Sequence, residues 1–297
     1  MGAGEFVQEG LGPTIFPVGL GTGRLASLGA GYSKKDAFQC METAMELGIN
    51  LVDTADSYGS SDCEKLLGLI LKEMGKPMLV SSKAGYRFCD LPGPLGLFNQ
   101  VGKKILNKFG QRQCFTPRYI KECLEGSLRR LRTGRLDFFF LHDPTESALM
   151  DDKLTETLLR ARQAGDVRFL GIACSPKSAE KLRANHPLGT WVQTQVNPWS
   201  SVEMAGEKWS GGNIMANHVF GGAKVSQYGE SLQGIAREEG ITPRQLLIGF
   251  GLQQSGVRCV LVGTGRAEHL RENVEATKKK LSERSLAALR AMTHKNS

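Results

Sequence analysis

Short apolar runs recur along the chain, each closed by a polar break and followed by a segment whose apolar residues return at every third or fourth position. The short runs read as buried strands and the spaced returns as the inner faces of amphipathic helices. Strands are expected at Ile15–Leu20, at Leu51–Val52 with Asp53 at the carboxyl end, and at Met78–Ser82, which runs into Lys83. Further strands are expected at Asp137–Leu141, Arg168–Ile172, Trp191–Gln195, Ile214–Ala216 and Arg258–Val262. Helices should open at Ser33, at Ser61, where Ser61-Asp62-Cys63-Glu64 has the form of a capping box, and at Thr116-Pro117. Others are expected at Leu154–Ala164, Lys177–Ala184, Ser226–Glu239, Thr242–Gln254, from Ala267, and at Ser282–Met292. Two stretches rich in Gly, Pro or Trp, Ala84–Phe115 and Trp199–Gly212, carry no strong period. Eight strands separated by about one helix each, with an extra helix after the seventh and no break in composition, predict an α/β chain folded as one (β/α)8 TIM barrel over residues 1–297. An N-terminal segment would cap the barrel and extra helices would follow it. A doubly wound open sheet is the alternative, and the unbroken alternation favours closure.

Composition narrows the class. Hydrophobic residues make up 40% and charged residues 23% of the sequence, which suits a globular α/β protein and not a disordered one. No apolar run approaches the length of a membrane span and no signal-like N-terminus is present, so a cytoplasmic protein with no membrane partner is expected. The seven cysteines are scattered, without a C-x-x-C pair, and read as free thiols; Cys40, Cys123 and Cys259 fall at core-facing positions. With five scattered histidines there is no metal-ligand cluster. The formal charge of +8 is interleaved with acids along helices and forms no nucleic-acid patch, and Lys278-Lys279-Lys280 reads as a helix end. A monomer or weak oligomer is expected.

The chemistry concentrates where strands end. In a (β/α)8 barrel the carboxyl ends of all strands open on one face, so Asp53, Tyr58, Lys83 and His142 would meet in one bowl. Taken singly, Asp53 can satisfy a turn, Tyr58 can be a surface aromatic, Lys83 a rim charge and His142 a core residue. Together they read as a proton-donor system. A lysine ammonium about 4 Å from a phenolate, at an effective dielectric near ~20, favours it by about 4 kcal/mol. That attraction is expected to lower the Tyr58 pKa toward neutrality, less whatever Asp53 offsets. Gly19-Leu20-Gly21-Thr22-Gly23 invites a dinucleotide reading, but its spacing is not G-x-G-x-x-G and no helix follows directly.

Several ordered segments resemble the aldo-keto reductases, (β/α)8 barrels that reduce carbonyls with NADPH. They are Gly19-Leu-Gly-Thr22, Asn50-Leu-Val-Asp53-Thr-Ala-Asp-Ser-Tyr58-Gly59, Ser82-Lys83, Ser127-Leu-Arg-Arg-Leu131 with Leu136-Asp137 and Leu141-His142, Gln193 with Asn197-Pro198, and Gly263-Thr264 with His269-Leu-Arg-Glu272-Asn273. The resemblance implies a tetrad of Asp53, Tyr58, Lys83 and His142. It also implies a cofactor groove drawn from Gly21, Thr22, Gly23, Cys174, Ser175, Gln193, Asn217, His218, Val219, Phe220, Gly263, Thr264, Arg266, His269, Glu272 and Asn273. Where the family has Gly-Val-Ser-Asn after strand five, this chain has Gly171-Ile172-Ala173-Cys174, which offers the nicotinamide carboxamide little beyond Gln193 and Ser175. Asn217 stands where the family stacks a tyrosine on the nicotinamide. His269 stands where an arginine grips the 2′-phosphate, with Arg266 and Arg271 beside it.

The function implied is an NADPH-dependent reductase of small aldehydes or ketones, or the reverse alcohol dehydrogenase, with NADH as the lesser cofactor choice. Tyr86, Phe88, Trp199 and Trp209 are candidate walls of the substrate pocket. Few residues follow the last helix, so a fairly open pocket is expected. Two rival readings are a catalytically weak, dinucleotide-binding regulatory subunit on the same barrel and a Schiff-base aldolase using Lys83.

Overall fold

Apolar strands buried on both faces need a sheet that is covered on one side and filled on the other, and here the chain closes that sheet on itself. The computed structural model describes residues 7–8, 12–23, 33–88, 112–181, 186–200, 213–222 and 224–292. Eight parallel strands form a closed barrel: β1 (Val18–Gly21), β2 (Leu51–Asp53), β3 (Leu79–Ala84), β4 (Leu136–His142), β5 (Val167–Ala173), β6 (Trp191–Gln195), β7 (Asn213–Asn217) and β8 (Val257–Gly263), with β8 paired back to β1. Two short strands, Val7–Gln8 and Gly12–Pro13, pair antiparallel before β1. Among the described residues the helices longer than one turn are α1 (Lys34–Glu46), α2 (Asp62–Met74), α3 (Pro117–Leu131), α4 (Asp152–Ala164), α5 (Pro176–Lys181), α6 (Gly229–Glu239), α7 (Pro243–Leu252), α8 (Ala267–Glu275) and α9 (Glu283–Ala291). The (β/α)8 expectation holds, with α6 and α7 both lying between β7 and β8 and α9 following the last unit. Trp209 and most of the 84–115 and 199–212 stretches lie outside the described residues.

Strand alternation sorts the core into two layers. Val52, Val80, Phe139, Leu141, Leu170, Ile172, Val192, Ile214, Val260 and Val262 face the helices, against Ala37, Cys40, Met41, Leu67, Ile70, Ile120 and Leu124. Leu51, Leu79, Phe138, Phe140, Trp191, Met215, Cys259 and Leu261 fill the lumen. The lumen-facing parity continues upward into Asp53, Ser81, Lys83, His142, Gln193 and Asn217, so the residues that close the strands carry the polar chemistry above an apolar floor. Asp137 fixes the register at the other end: its carboxylate accepts from the Val80 amide at 2.9 Å and from Arg168 Nη1 at 3.0 Å.

Most helix starts follow their caps. Ser33 and Asp36 form the expected capping box, and Thr116, Thr242 and Ser282 cap α3, α7 and α9. The capping box expected at Ser61 does not form. Ser61 sits in the left-handed region (φ 77°) without a side-chain cap bond. Glu64 is turned inward instead, accepting from Ser82 Oγ at 2.6 Å and from Arg130 Nε at 2.7 Å. The guanidinium of Arg130 outcompetes a backbone amide for the carboxylate because charge-assisted bonds are the stronger ones. Among the described residues, the six cysteines are free thiols, no metal-binding cluster occurs, and no helix is long and apolar enough to cross a membrane.

The α2–α3 crossing is the tightest helix contact. A Cβ on Gly68 would stand 2.2 Å from the Arg130 carbonyl oxygen, so Gly68→Ala must push the helices apart and should cost about 1–3 kcal/mol in urea unfolding. Arg130→Met leaves the fully buried Glu64 without its counter-ion and should cost about 3–5 kcal/mol in the same measurement. Asp56, in the loop between β2 and α2, is fully buried, with the Cys123 thiol and the Ser57 amide as the hydrogen-bonding groups at its carboxyl. Burial, with the Glu64 charge beside it, holds its pKa well above the usual carboxylate range. A raised folded pKa gives stability that is complete below the unfolded value near ~4 and declines as pH rises toward the folded one. Asp56→Asn should therefore flatten the decline in stability that the parent shows as pH rises above the unfolded value near ~4; parallel curves would show that Asp56 carries no such burden.

Candidate active site

Three strand ends and the loop after one of them assemble the site. Asp53 ends β2, Lys83 lies one residue before the end of β3, and His142 ends β4, while Tyr58 follows β2 by five residues in a loop. That loop is tied to its neighbours by the Thr22 and Thr54 amides, which donate to Asp53 and Ser81 carbonyls at 2.8 and 2.9 Å, and by the Asp56 amide, which donates to the Lys83 carbonyl at 3.1 Å. Lys83 is 1% exposed; its Nζ donates to Asp53 Oδ2 at 2.7 Å and to the Thr54 carbonyl at 2.7 Å. The ammonium also lies 5.1 Å from the centroid of the Tyr58 ring. The His142 ring meets Tyr58 edge-on, centroids 6.1 Å apart.

The charges here settle in a definite direction. Burial pulls the Lys83 pKa down, but the Asp53 carboxylate and the Tyr58 phenol outweigh it and leave the amine above its ordinary value. Lys83 is thus held as an ammonium, which cannot attack a carbonyl as a free amine, and the Schiff-base reading loses its nucleophile. The expectation that Lys83 draws the Tyr58 pKa toward neutrality is not met. Burial raises the phenol above its usual value, and Lys83 offsets this only in part. The reason is that Asp53 holds the same ammonium at 2.7 Å and partly neutralises it.

Asp143 and Gln113 also stand at the mouth. Asp143, at φ 53°, accepts from the Tyr86 hydroxyl at 2.7 Å and, through its carbonyl, from Gln113 Nε2 at 2.9 Å. Tyr86 thereby stands edge-on to His142 with centroids 4.7 Å apart, and the Tyr119 hydroxyl donates to its carbonyl. Tyr86, one of the four expected pocket walls, lies beside His142. Its own hydroxyl, buried and donating to Asp143, is pushed up to about 12. Phe88 instead lies under the Arg130 guanidinium, 5.6 Å from ring centroid to charge, beside the α2–α3 pair. Trp199 is absorbed into a second core with Leu232, Leu246 and Phe250, stacked on Tyr228 and against Gly221.

The residues suggested for a cofactor fall into two groups. At the β1 and β8 ends, Gly21 and Gly263 are register partners, leaving a bare backbone ledge with Thr264 and the exposed Arg266 beyond it. Further along α8, Asn273 is fully buried with neither amide atom partnered, and His269 is half-buried beside it; such a buried orphan amide fits an extended ligand rather than a packed core. This end fits a dinucleotide. Glu272 is engaged by the Thr242 hydroxyl at 2.7 Å, and Arg271 by Glu46 at 3.3 Å. At the β5–β7 ends the polar groups are already paired within the protein. Ser175 Oγ lies 3.0 Å from Ser178 Oγ, Asn217 Oδ1 lies 3.0 Å from His218 Nδ1, and Gln193 Nε2 donates to Asp53 Oδ1 at 2.9 Å. Cys174 is buried, its thiol pushed up to about 12 by burial, while Val219 is buried and Phe220 is covered by Arg244 at 4.9 Å. Gly23 stands against the Tyr58 ring, where a Cβ would come within 3.3 Å of Cε2.

The chain matches the family model described as the aldo/keto reductase family over residues 17–208 and 213–294. It is 26% identical over 318 residues to the aldo-keto reductase yakc [NADP(+)] of Schizosaccharomyces pombe, covering 93% of this chain and 88% of that protein. It is also 26% identical over 314 residues to a D-threo-aldose 1-dehydrogenase of a Pseudomonas species, covering 93% of each. The solved glycerol dehydrogenase of Gluconobacter oxydans shares the fold at a TM-score of 0.76 and 19% identity, over 95% of this chain and 94% of that one. The holo form of an aldo-keto reductase from Bacillus halodurans does so at 0.71 and 22%, over 94% and 92%. Barrel, strand-end residues and matched length together place the chain in the aldo/keto reductase family of nicotinamide-dependent oxidoreductases.

Proposed function

We propose that this chain is an NADPH-dependent reductase of aldehydes or ketones, running in reverse as an alcohol dehydrogenase, with Tyr58 as its proton donor. The observation that carries the reading is the convergence of Asp53, Lys83, Tyr58 and His142 at one end of the barrel, with Lys83 buried and held charged. A nicotinamide cofactor, when bound, supplies the hydride for the carbonyl carbon. Tyr58 gives its hydroxyl proton to the carbonyl oxygen as negative charge builds there. The Lys83 ammonium stabilises the phenolate left behind, and Asp53 keeps that ammonium in place. His142, braced by Tyr86, hydrogen-bonds the substrate oxygen and sets its direction toward Tyr58. Gly21, Gly263, Thr264, Arg266 and Asn273 would hold the cofactor. The relatives named for NADP(+) and for an aldose support the choice of cofactor and a small carbonyl substrate. Among the described residues the Arg266 guanidinium has no ion-pair partner and is exposed, ready for a 2′-phosphate.

Tyr58→Phe should leave NADPH binding intact, read by quenching of protein fluorescence, while lowering kcat about 10²–10⁴-fold with a mixed panel of aldehydes and ketones. Unchanged turnover in that variant would end the assignment. The pH dependence has a definite sign. Reduction needs Tyr58 protonated, and its folded pKa is raised, so the reduction rate should stay level through about pH 6 to 9 and fall only beyond. Alcohol oxidation needs the phenolate and should climb over the same interval. A reduction rate already falling between about pH 6 and 8 contradicts this ordering.

A further inference from the structure

Gln193 is 1% exposed on β6, and its side chain spans the barrel lumen. Its Nε2 donates to Asp53 Oδ1 at 2.9 Å, although β6 and β2 stand on opposite walls of the closed sheet. The same Oδ1 accepts from Ser81 Oγ at 2.8 Å, and Oδ2 takes the Lys83 ammonium at 2.7 Å. The register partners of Gln193 on the adjacent strands, Ala173 and Met215, have no oxygen or nitrogen acceptor to offer its amide, and the Asn217 Oδ1 further along β7 is engaged by His218. Asp53 is thus the acceptor within its reach.

We propose that Gln193 is a positioning residue for the proton donor: its amide fixes the Asp53 carboxylate, and through it the Lys83 ammonium, from across the barrel. This rests on the reading of Tyr58 as the proton donor. The physical argument is one of competition for a single ammonium. With Oδ1 saturated by Gln193 and Ser81, Asp53 offers Lys83 one oxygen, and the ammonium remains within reach of Tyr58. Without the Gln193 donor the carboxylate is less well solvated, attracts the ammonium more strongly, and leaves a Tyr58 phenolate less stabilised. The charged and titratable groups facing this network are Lys83 from β3, Tyr58 from the loop after β2, Cys63 at the start of α2, His142 from β4 and Cys259 from β8. Cys259 is fully buried, and burial with the Asp53 charge beside it keeps its thiol neutral across the working range, so that after burial itself Lys83 and Asp53 act most on Tyr58.

The test uses the full chain carrying Gln193→Met, with Gln193→Leu as a second variant should the first not fold. Tyr58 ionisation is read as the ultraviolet difference between each protein and its Tyr58→Phe partner during alkaline titration, which needs no turnover. The Tyr58 midpoint should move up by about half a pH unit or more, with a matching fall of about threefold in alcohol oxidation at fixed pH below the midpoint. An unmoved midpoint overturns the proposal, and an unmoved midpoint with a tenfold loss of NADPH affinity assigns Gln193 to the cofactor instead. Failure of the function reading looks different: the parent oxidises NADPH with no member of the carbonyl panel, while the titration remains readable.

Discussion

The barrel mouth is organised by one buried ion pair, Lys83 with Asp53, placed where water cannot serve either charge. Removing a carboxylate and an ammonium from water costs several kcal/mol for each ion, repaid only when the remaining lone pairs and protons are satisfied. Here they are: Asp53 has Ser81, Gln193 and Lys83, and Lys83 has Asp53 and the Thr54 carbonyl. A lysine so held stays charged, and that decides the class of chemistry. A neutral buried amine would be a nucleophile; a fixed ammonium beside a phenol is an electrostatic partner for a proton donor.

The rest of the molecule keeps that pair in register. Below it the lumen is closed by Leu51, Phe138, Phe140, Trp191 and Met215, so no water column reaches the charges from the far end. Outside it, the Glu64–Arg130 pair pins α2 to α3 against β3 through Ser82, on the other face of the strand that carries Lys83. The loop from Asp53 to Tyr58 runs between these two polar systems and bonds to β3 through the Thr54 and Asp56 amides. The loop that carries the phenol is thereby tied to its neighbours, as the proposed proton transfer from Tyr58 requires, since such a transfer tolerates little misplacement.

Much of this was legible in the sequence, for reasons that also explain the rest. The strands show as apolar runs because both faces are buried, and their ends show because the runs stop at Asp53, Lys83 and His142. The tetrad needs only those ends and the barrel. The Gln193–Asp53 bond joins positions 140 residues apart, and no local period encodes it. A trace was nonetheless present: Trp191 and Gln193 share the parity of Leu51 and Asp53, so both polar groups point into one lumen. At Ser61 the local signal misled, since Ser-Asp-Cys-Glu has capping form but a distant arginine claims the glutamate. Trp199 misled in the same way, as a loop aromatic that a second core absorbs. The raised Tyr58 pKa is not legible in the sequence because its largest cause is the burial that the folded chain imposes, which outweighs the Lys83 charge.

On the proposed function, the departures after β5 and β7 have a common physical consequence. Ser175, Asn217 and Gln193 are each paired to a neighbouring side chain, and Ala173 offers none, so the nicotinamide end meets few free donors. The distant end keeps the open glycine ledge, the exposed Arg266 and the orphan amide of Asn273. Holding a cofactor mainly by atoms that do not react gives the ground state and the transition state equal grip. It therefore sets affinity and leaves the barrier to the proton donor. That division matches where this chain places its buried polar bonds: they converge on Asp53 and Lys83, the two groups whose placement the proposed Tyr58 proton transfer depends on.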